Sequence, residues 1–456
     1  MKNVITRLNN VEIHNFKNVS YGTFSMPLAN ADLNDEFHAD ILGIYGQNGS
    51  GKTSVIEATS VLQSLLSGHS LKKEFADYIS KGTTSSILQF GFLIKNKVDE
   101  FLVEYKVEIQ SANEGGTEIL KEALSFKKKL IEGWSTKVTL TYNARDVEGY
   151  FTPTTQRQRV LEENRSRKIE YTVAIILAQK ERKSAFFSSE MMEIIASSDS
   201  RSEFSFIINA LHFFADARLF VIDKSYTGVI SLDAVLPFAF LLENTKELVK
   251  GDLAISLEGT VIITKKQFGL LKRILDNLNV VIKELIPGLT LETIDYGAQL
   301  TAKGEEGERI ELVTQRGEHK IPIKYESEGI KKIISILSAL IAMYNNPSVC
   351  VVVDELDAGV FEYLLGELLK TIEIGGKGQL IFTSHNLRPL EMIRKESLIF
   401  TTTNPSNRYI QMKNIKENNN LRDLYIKSIN LGGQKEEIYK PTNNSAISRA
   451  FRSRVG

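Results

Sequence analysis

The eight residues Gly46-Gln47-Asn48-Gly49-Ser50-Gly51-Lys52-Thr53 constrain this chain more than any other stretch. They match G-x-x-x-x-G-K-[ST] in full. Glycines let the backbone curl so that successive N–H groups face one anion. Lys52 can then reach the β- and γ-phosphates of a nucleotide, and the Thr53 hydroxyl can ligate Mg²⁺. The context fits as well. Asp40 to Tyr45 reads as a strand through Ile41, Leu42 and Ile44. A helix is expected from about Lys52 to Leu66, with Val55, Ile56, Ala58, Thr59 and Leu62 near helical spacing. Such a helix points its positive N-terminus at the same anion. The expected fold class is therefore α/β, with Gly46, Asn48, Gly49, Ser50, Gly51, Lys52, Thr53 and Ser54 as phosphate-binding residues.

A second half of the chemistry lies far downstream. Val349 to Val353 is solidly apolar, the pattern of a strand buried on both faces, and it runs into Asp354-Glu355. Asp354 there suits the Mg²⁺ shell, and Glu355 suits the base or water-positioner. The bland alternative is an acidic turn after a core strand; the phosphate loop upstream weighs against it. Ser384-His385-Asn386 follows another apolar strand, Leu380 to Thr383. His385 could sense a γ-phosphate, although a lone histidine is more often structural. Ser327 to Tyr344 reads as an amphipathic helix through Ile330, Ile333, Ile334, Leu337, Leu340, Ile341 and Tyr344. Ser327 suits its N-cap, and Gly329 permits close backbone approach. That N-terminus is either simply capped or faces a nucleotide held by another copy.

In this order the pieces resemble the ABC-type ATPases, in the branch of RecF, SMC and OLD proteins rather than the transporters. The resemblance rests on Ile13-x-Asn15-Phe16-Lys17, the Gly46–Thr53 loop, a Ser-x-Gly helix, Asp354-Glu355-Leu356-Asp357 and Thr383-Ser384-His385-Asn386. It covers roughly residues 1–110 and 320–400. Within that branch the chain looks like the compact AAA-type ATPases of bacterial anti-phage and abortive-infection systems. The resemblance implies a P-loop NTPase head and two ATP molecules sandwiched between two heads. Ser327 and Gly329 would be the signature offered to the partner's nucleotide, Asp357 the D-loop residue and His385 the switch histidine. Lys52, Glu355 and His385 would be catalytic, and Thr53 and Asp354 would hold Mg²⁺. The implied partners are a second copy of the chain and a separately encoded effector, with DNA as a further candidate. Two departures stand out. The signature is Ser327-Glu328-Gly329 rather than Leu-Ser-Gly-Gly-Gln, and Leu431-Gly432-Gly433-Gln434 comes too late, so it reads as a turn. Gln89 and Gln179 are both candidates for the Q-loop.

Composition narrows what surrounds this core. Hydrophobic residues make up 42% and charged residues 25%, as in a globular chain. Lys+Arg and Asp+Glu are both 56, which excludes a globally basic nucleic-acid coat but not a local patch. A single cysteine, Cys350, excludes a disulfide framework and a Cys-based zinc site; in its strand it reads as a small buried hydrophobe. Met1 to Asn10 holds no signal-type apolar run. Ile333 to Met343 is too short for the ~20 apolar residues that span a membrane. The expectation is a cytoplasmic protein with no membrane partner.

Three regions are expected: an N-terminal lobe at 1–150, a mostly helical insertion at 151–310 and a C-terminal lobe at 311–456. Two short strands are read in Val11 to Met26. Alternation through Ile87, Leu88, Phe90, Phe92, Ile94, Phe101, Val103, Tyr105 and Val107 predicts antiparallel strands. Loops are read at Ser197–Arg201 and Gly251–Asp252. No heptad persists, so the insertion is read as compact rather than a coiled coil. Basic clusters at Lys127–Lys129, Arg157/Arg159, Arg165/Arg167/Lys168 and Arg449/Arg452/Arg454 are either solvated faces or contact arms. Residues 150–170 read as a boundary or an exposed arm, and 157–168 is the preferred DNA or partner arm. No nuclease motif is apparent. Three readings compete: a defence ATPase that oligomerises and controls a separate nuclease or toxin, a RecF- or SMC-like ATPase of DNA repair or chromosome maintenance, and a slow ATP-binding scaffold.

Overall fold

The computed structural model describes residues 4–29, 37–112, 115–146, 150–161, 165–196, 202–232, 234–243, 248–412, 420–432 and 434–453. Two sheets enclose the first half of the core. The strands β1 (Ile5–Phe16) and β2 (Val19–Ser25) form a hairpin, and β3 (Asp40–Tyr45) then leaves it for a second sheet. After α1 (Lys52–Leu66) the chain returns in β4 (Ser85–Lys95), β5 (Glu100–Ser111), β6 (Thr117–Lys128), β7 (Val138–Asn143) and β8 (Phe151–Thr152). These make an antiparallel sheet of order β2-β1-β4-β5-β6-β7-β8. Its alternation has a physical cause. Phe90, Phe92, Val103, Tyr105 and Val107 all turn into one apolar cluster with α1, and the residues between them face outward.

The middle of the chain begins with α2 (Thr154–Leu161), α3 (Arg165–Glu181), α4 (Ser189–Ala196) and α5 (Glu203–Ala217). Next come β9 (Leu219–Ile222) and α6 (Lys224–Ser231), then the hairpin β10 (Val235–Glu243) and β11 (Leu248–Ser256). A further small sheet holds β12 (Val261–Thr264), β13 (Leu289–Leu300), β14 (Glu306–Arg316) and β15 (His319–Pro322), with α7 (Lys265–Leu285) between β12 and β13.

The C-terminal part supplies α8 (Glu328–Asn345), β16 (Cys350–Val353), α9 (Glu362–Gly375), β17 (Gln379–Thr383), α10 (Pro389–Met392), β18 (Leu398–Thr401), β19 (Tyr409–Ile410), α11 (Leu421–Leu431) and α12 (Asn444–Arg452). The second sheet runs β19-β18-β3-β17-β16-β9. All its pairings are parallel except β18 with β19. Alternate residues of these strands enter two different apolar clusters: Leu42, Ile44, Cys350 and Val352 on one side, Ile41, Tyr45, Val351 and Val353 on the other. That two-sided burial is why the strands read as unbroken apolar runs.

Three expectations need correction. The span 151–310 carries β9 to β13 among its helices, and β9 pairs with β16 inside the parallel sheet. Gly251–Asp252 is not a loop: it lies in β11, paired with Phe240 and Ala239. The described residues of 150–170 are not wholly an open arm: Arg159 and Lys168 are exposed, but Arg157 is buried in α2 and donates to the Phe151 carbonyl at 3.2 Å. Arg167 of α3 likewise donates to the Ile194 carbonyl. Both helices pack because Val160, Leu161, Tyr171, Ala174 and Ile175 join the core under the antiparallel sheet. The loop expected at Ser197–Arg201 lies outside the described residues, as do Gly433, Arg454 and the side chain of Arg165.

Candidate nucleotide-binding site

A cleft of about 610 Å³ opens at the carboxyl end of the parallel strands, where α/β sheets place ligands. The phosphate loop forms one wall. Gly51 is the N-cap of α1 with φ of 95°, a left-handed backbone that glycine adopts without strain. Gly46 lies against Thr401 so closely that a Cβ would sit 1.8 Å from its hydroxyl. Asn48, Gly49, Gly51, Lys52, Thr53 and Ser54 line the cleft. Ser50 does not: its hydroxyl turns inward to the Gln47 carbonyl and the Thr401 hydroxyl. Lys52 donates to the carbonyls of Gly46 at 2.8 Å and Gln47 at 3.1 Å. Burial pushes its ammonium down to about 8, against the opposing pull of Asp354, Glu355 and Asp357.

The opposite wall is the end of β16. Asp354 is buried, and one of its carboxylate oxygens accepts from the Thr383 hydroxyl at 2.6 Å and the Thr53 hydroxyl at 3.5 Å. The other oxygen is buried without a protein partner. A buried carboxylate oxygen left over beside a threonine hydroxyl suits a hard divalent cation, which takes oxygen ligands from few side chains and the rest from water and phosphate. No cluster of three or more His, Cys, Asp or Glu able to hold a metal occurs among the described residues. The donor set thus fits Mg²⁺ held jointly with a substrate's phosphates.

Glu355 follows with φ of 50°, an unusual left-handed backbone for a residue with a Cβ. Two contacts hold its backbone: its N–H donates to the Thr383 hydroxyl at 2.7 Å, and its carbonyl accepts from Lys332 of α8. Its carboxylate lies 3.8 Å from the Lys224 ammonium. Asp357 accepts from the backbone N–H groups of His385 and Asn386, both at 3.0 Å, so it anchors the histidine loop within its own chain. Burial and the Lys52 charge push the His385 imidazole below its ordinary value, which favours its neutral form.

Ser327 and Gly329 stand apart from this cleft. Ser327 caps α8 by accepting from the Ile330 N–H at 3.3 Å. Gly329 lies against Gly359, where a Cβ would fall 1.9 Å from the carbonyl oxygen. Neither Q-loop candidate lines the cleft: Gln89 sits in β4 opposite Lys106, and Gln179 donates to the Tyr142 hydroxyl. Of the tempting Leu431–Gln434 stretch, Leu431 ends α11 and Gly432 caps it at φ 71°.

Sequence reasoning missed Asn18, Glu57, Lys224 and Thr383, all of which line the cleft. Glu57 was findable, because it lies four residues after Thr53 and so shares its helix face; it pairs with Lys17 at 2.7 Å. Lys224 had no signal without knowing that β9 ends at the crevice. The basic clusters are largely paired or packed: Lys128 reaches Asp99 and Glu203, and Lys129 reaches Glu100. Arg449 and Arg452 lie on the exposed α12.

No protein-family model matches the chain, and no curated protein matches it. Solved structures similar to it include an SMC head bound to the C-terminal winged-helix domain of ScpA, at 13% identity and a TM-score of 0.42, covering 89% of this chain and 97% of that one. The SMC head domain of Thermotoga maritima is similar at 12% identity and a TM-score of 0.34, covering 90% and 100%. An SMC head with an extended coiled coil from Pyrococcus furiosus, bound to the C-terminal domain of ScpA, gives 12% and 0.37, covering 90% and 96%.

Proposed function

We propose that this chain is a Mg²⁺-dependent ATPase of the ABC type that works as an assembly of two or more heads and controls a separate effector, a nuclease or toxin, in bacterial anti-phage defence. The observation that carries the ATPase reading is the hydrogen-bonded chain at one cleft in which Thr53 and Thr383 both donate to Asp354 and the Glu355 N–H donates to Thr383. Lys52 and the loop amides would hold the β- and γ-phosphates. Thr53 and Asp354 would hold Mg²⁺, which supplies charge neutralisation at the phosphates. Glu355 would take a proton from the attacking water as the water oxygen bonds to the γ-phosphorus. The bond to the β–γ bridging oxygen then breaks, and its electron pair leaves with ADP. His385, neutral and next to Lys52, would donate to a γ-phosphate oxygen. The control of an effector rests on the resemblance of the motifs alone.

Two variants test the chemistry. Lys52→Ala should lose ATP binding. Glu355→Gln should bind ATP and lower turnover about a hundredfold or more, the scale of a lost general base. Near-normal hydrolysis by Glu355→Gln would remove Glu355 from its role. The defence reading is checked by plating phage on cells carrying the gene with its neighbours, against cells carrying Lys52→Ala; equal plaque counts would sink it.

A further inference from the structure

The cleft holds a third lysine that the chemistry above does not use. β9 and β16 pair in parallel with Ile222 opposite Val353, and the Asp354 N–H donates to the Ile222 carbonyl at 2.9 Å. Continuing that register brings Asp223 level with Asp354 and Lys224 level with Glu355. In the first turn of α6 the Asp223 carboxylate accepts from the Ser225 and Tyr226 N–H groups. The Lys224 ammonium is the side-chain cation that α6 brings to the cleft. It lies 3.8 Å from the Glu355 carboxylate, and both side chains are substantially exposed, at 60% and 44%. An exposed pair of this kind contributes little to folding and is easily exchanged. The other two lysines of the cleft are held differently: Lys17 against Glu57 at 2.7 Å, and Lys52 on the carbonyls of its own loop.

Resting on the ATPase reading, we propose that Lys224 is a γ-phosphate-contacting residue that exchanges its ion-pair partner, leaving the Glu355 carboxylate for the γ-phosphate when ATP binds. A terminal phosphate carries more negative charge than one carboxylate, so it competes well for a mobile ammonium. The exchange leaves the Glu355 carboxylate without its ammonium partner only when there is a γ-phosphate to cleave. ADP lacks that group and leaves the Lys224–Glu355 pair in place.

The test compares Mg²⁺ complexes of AMP-PNP and ADP by calorimetry, with turnover measured in parallel. Lys224→Met should weaken AMP-PNP about tenfold and ADP less than about twofold, and should lower kcat about tenfold. Lys224→Arg should restore AMP-PNP affinity to within about threefold. Glu355→Gln should tighten AMP-PNP more when Lys224 is present than in Lys224→Met, since only then does it free an ammonium. Equal weakening of AMP-PNP and ADP, or no change in either with normal turnover, overturns the proposal. If Lys52→Ala binds AMP-PNP as well as the unaltered protein does, the nucleotide site itself is wrong and both readings fall.

Discussion

Lys52 is buried at a place where its charge is needed. Desolvation lowers its pKa to about 8, so the free protein begins to lose the ammonium just above physiological pH. A phosphate favours the charged form, so binding is coupled to proton uptake above that value, and affinity falls as pH rises through it. AMP-PNP affinity should therefore drop several-fold between about pH 7.5 and 9.5. In Lys52→Arg, whose guanidinium stays charged, that drop should vanish even if affinity is lower throughout. An unchanged pH profile in the arginine variant would assign the dependence to another group. Thr383 acts at the same scale. One hydroxyl donates to Asp354 and accepts from the Glu355 N–H, so it sets the metal-side carboxylate and the base relative to each other.

At the scale of elements, α8 is the part that joins the parallel sheet to the cluster around α7. Ile336 and Leu340 enter the cluster under the parallel sheet, while Ile334 and Leu337 enter the cluster around α7. Its expected apolar face is thus buried on two sides, which also takes Lys331 and Lys332 out of water. Lys332 recovers part of that cost by donating to the Glu355 carbonyl. Gly329 lies on Gly359, so the Ser327 end of α8 and the Glu355–Gly359 loop form one packed body. A buried carboxyl ties β6 to the segment before α4. Glu122 accepts from Tyr105, from the Ser184 hydroxyl at 2.6 Å and from the Ala185 N–H at 2.7 Å. Burial raises its pKa despite those hydrogen bonds. The folded state therefore holds this proton more tightly than the unfolded chain does. The resulting stability is complete below the ordinary glutamate pKa and is lost as pH climbs through the raised value. Glu122→Gln, neutral at every pH, should gain on the unaltered protein by a few degrees in Tm between about pH 4 and 8. A constant gap across that range would mean that Glu122 stays ionised in the fold.

At the scale of the whole molecule, the Ser327 end of α8 packs beside the cleft loop without lining the cleft itself. The α8 face also exposes Tyr325, Phe361 and Tyr363 at 70%, 68% and 52%. Such a face suits a second copy bearing a nucleotide, as the resemblance implies. Light-scattering mass of Glu355→Gln protein should then rise in subunit number when ATP and Mg²⁺ are added. A monomer in both conditions would sink the role of Ser327 and Gly329 toward a partner's nucleotide. An unchanged larger assembly would move the contacts that hold it elsewhere. No helix among the described residues is long and apolar enough to cross a membrane.

The sequence by itself determined the local pieces of the site. The strand Asp40–Tyr45 and the helix Lys52–Leu66 lie where periodicity and glycine chemistry put them, and Ser327 is the N-cap that its position before an apolar stripe suggests. Each is set by interactions within a few residues: backbone conformation, capping and burial pattern. The tertiary structure alone decided what joins across the sheet. β9 is four residues long, too short for periodicity to announce, and only its pairing with β16 brings Lys224 to Glu355. The burial of Arg157 in a polar stretch has the same origin, because its partner is a backbone carbonyl that no side-chain pattern reveals. Register between strands distant in sequence is fixed by packing and hydrogen bonding in three dimensions, and residue order does not encode it in any short window.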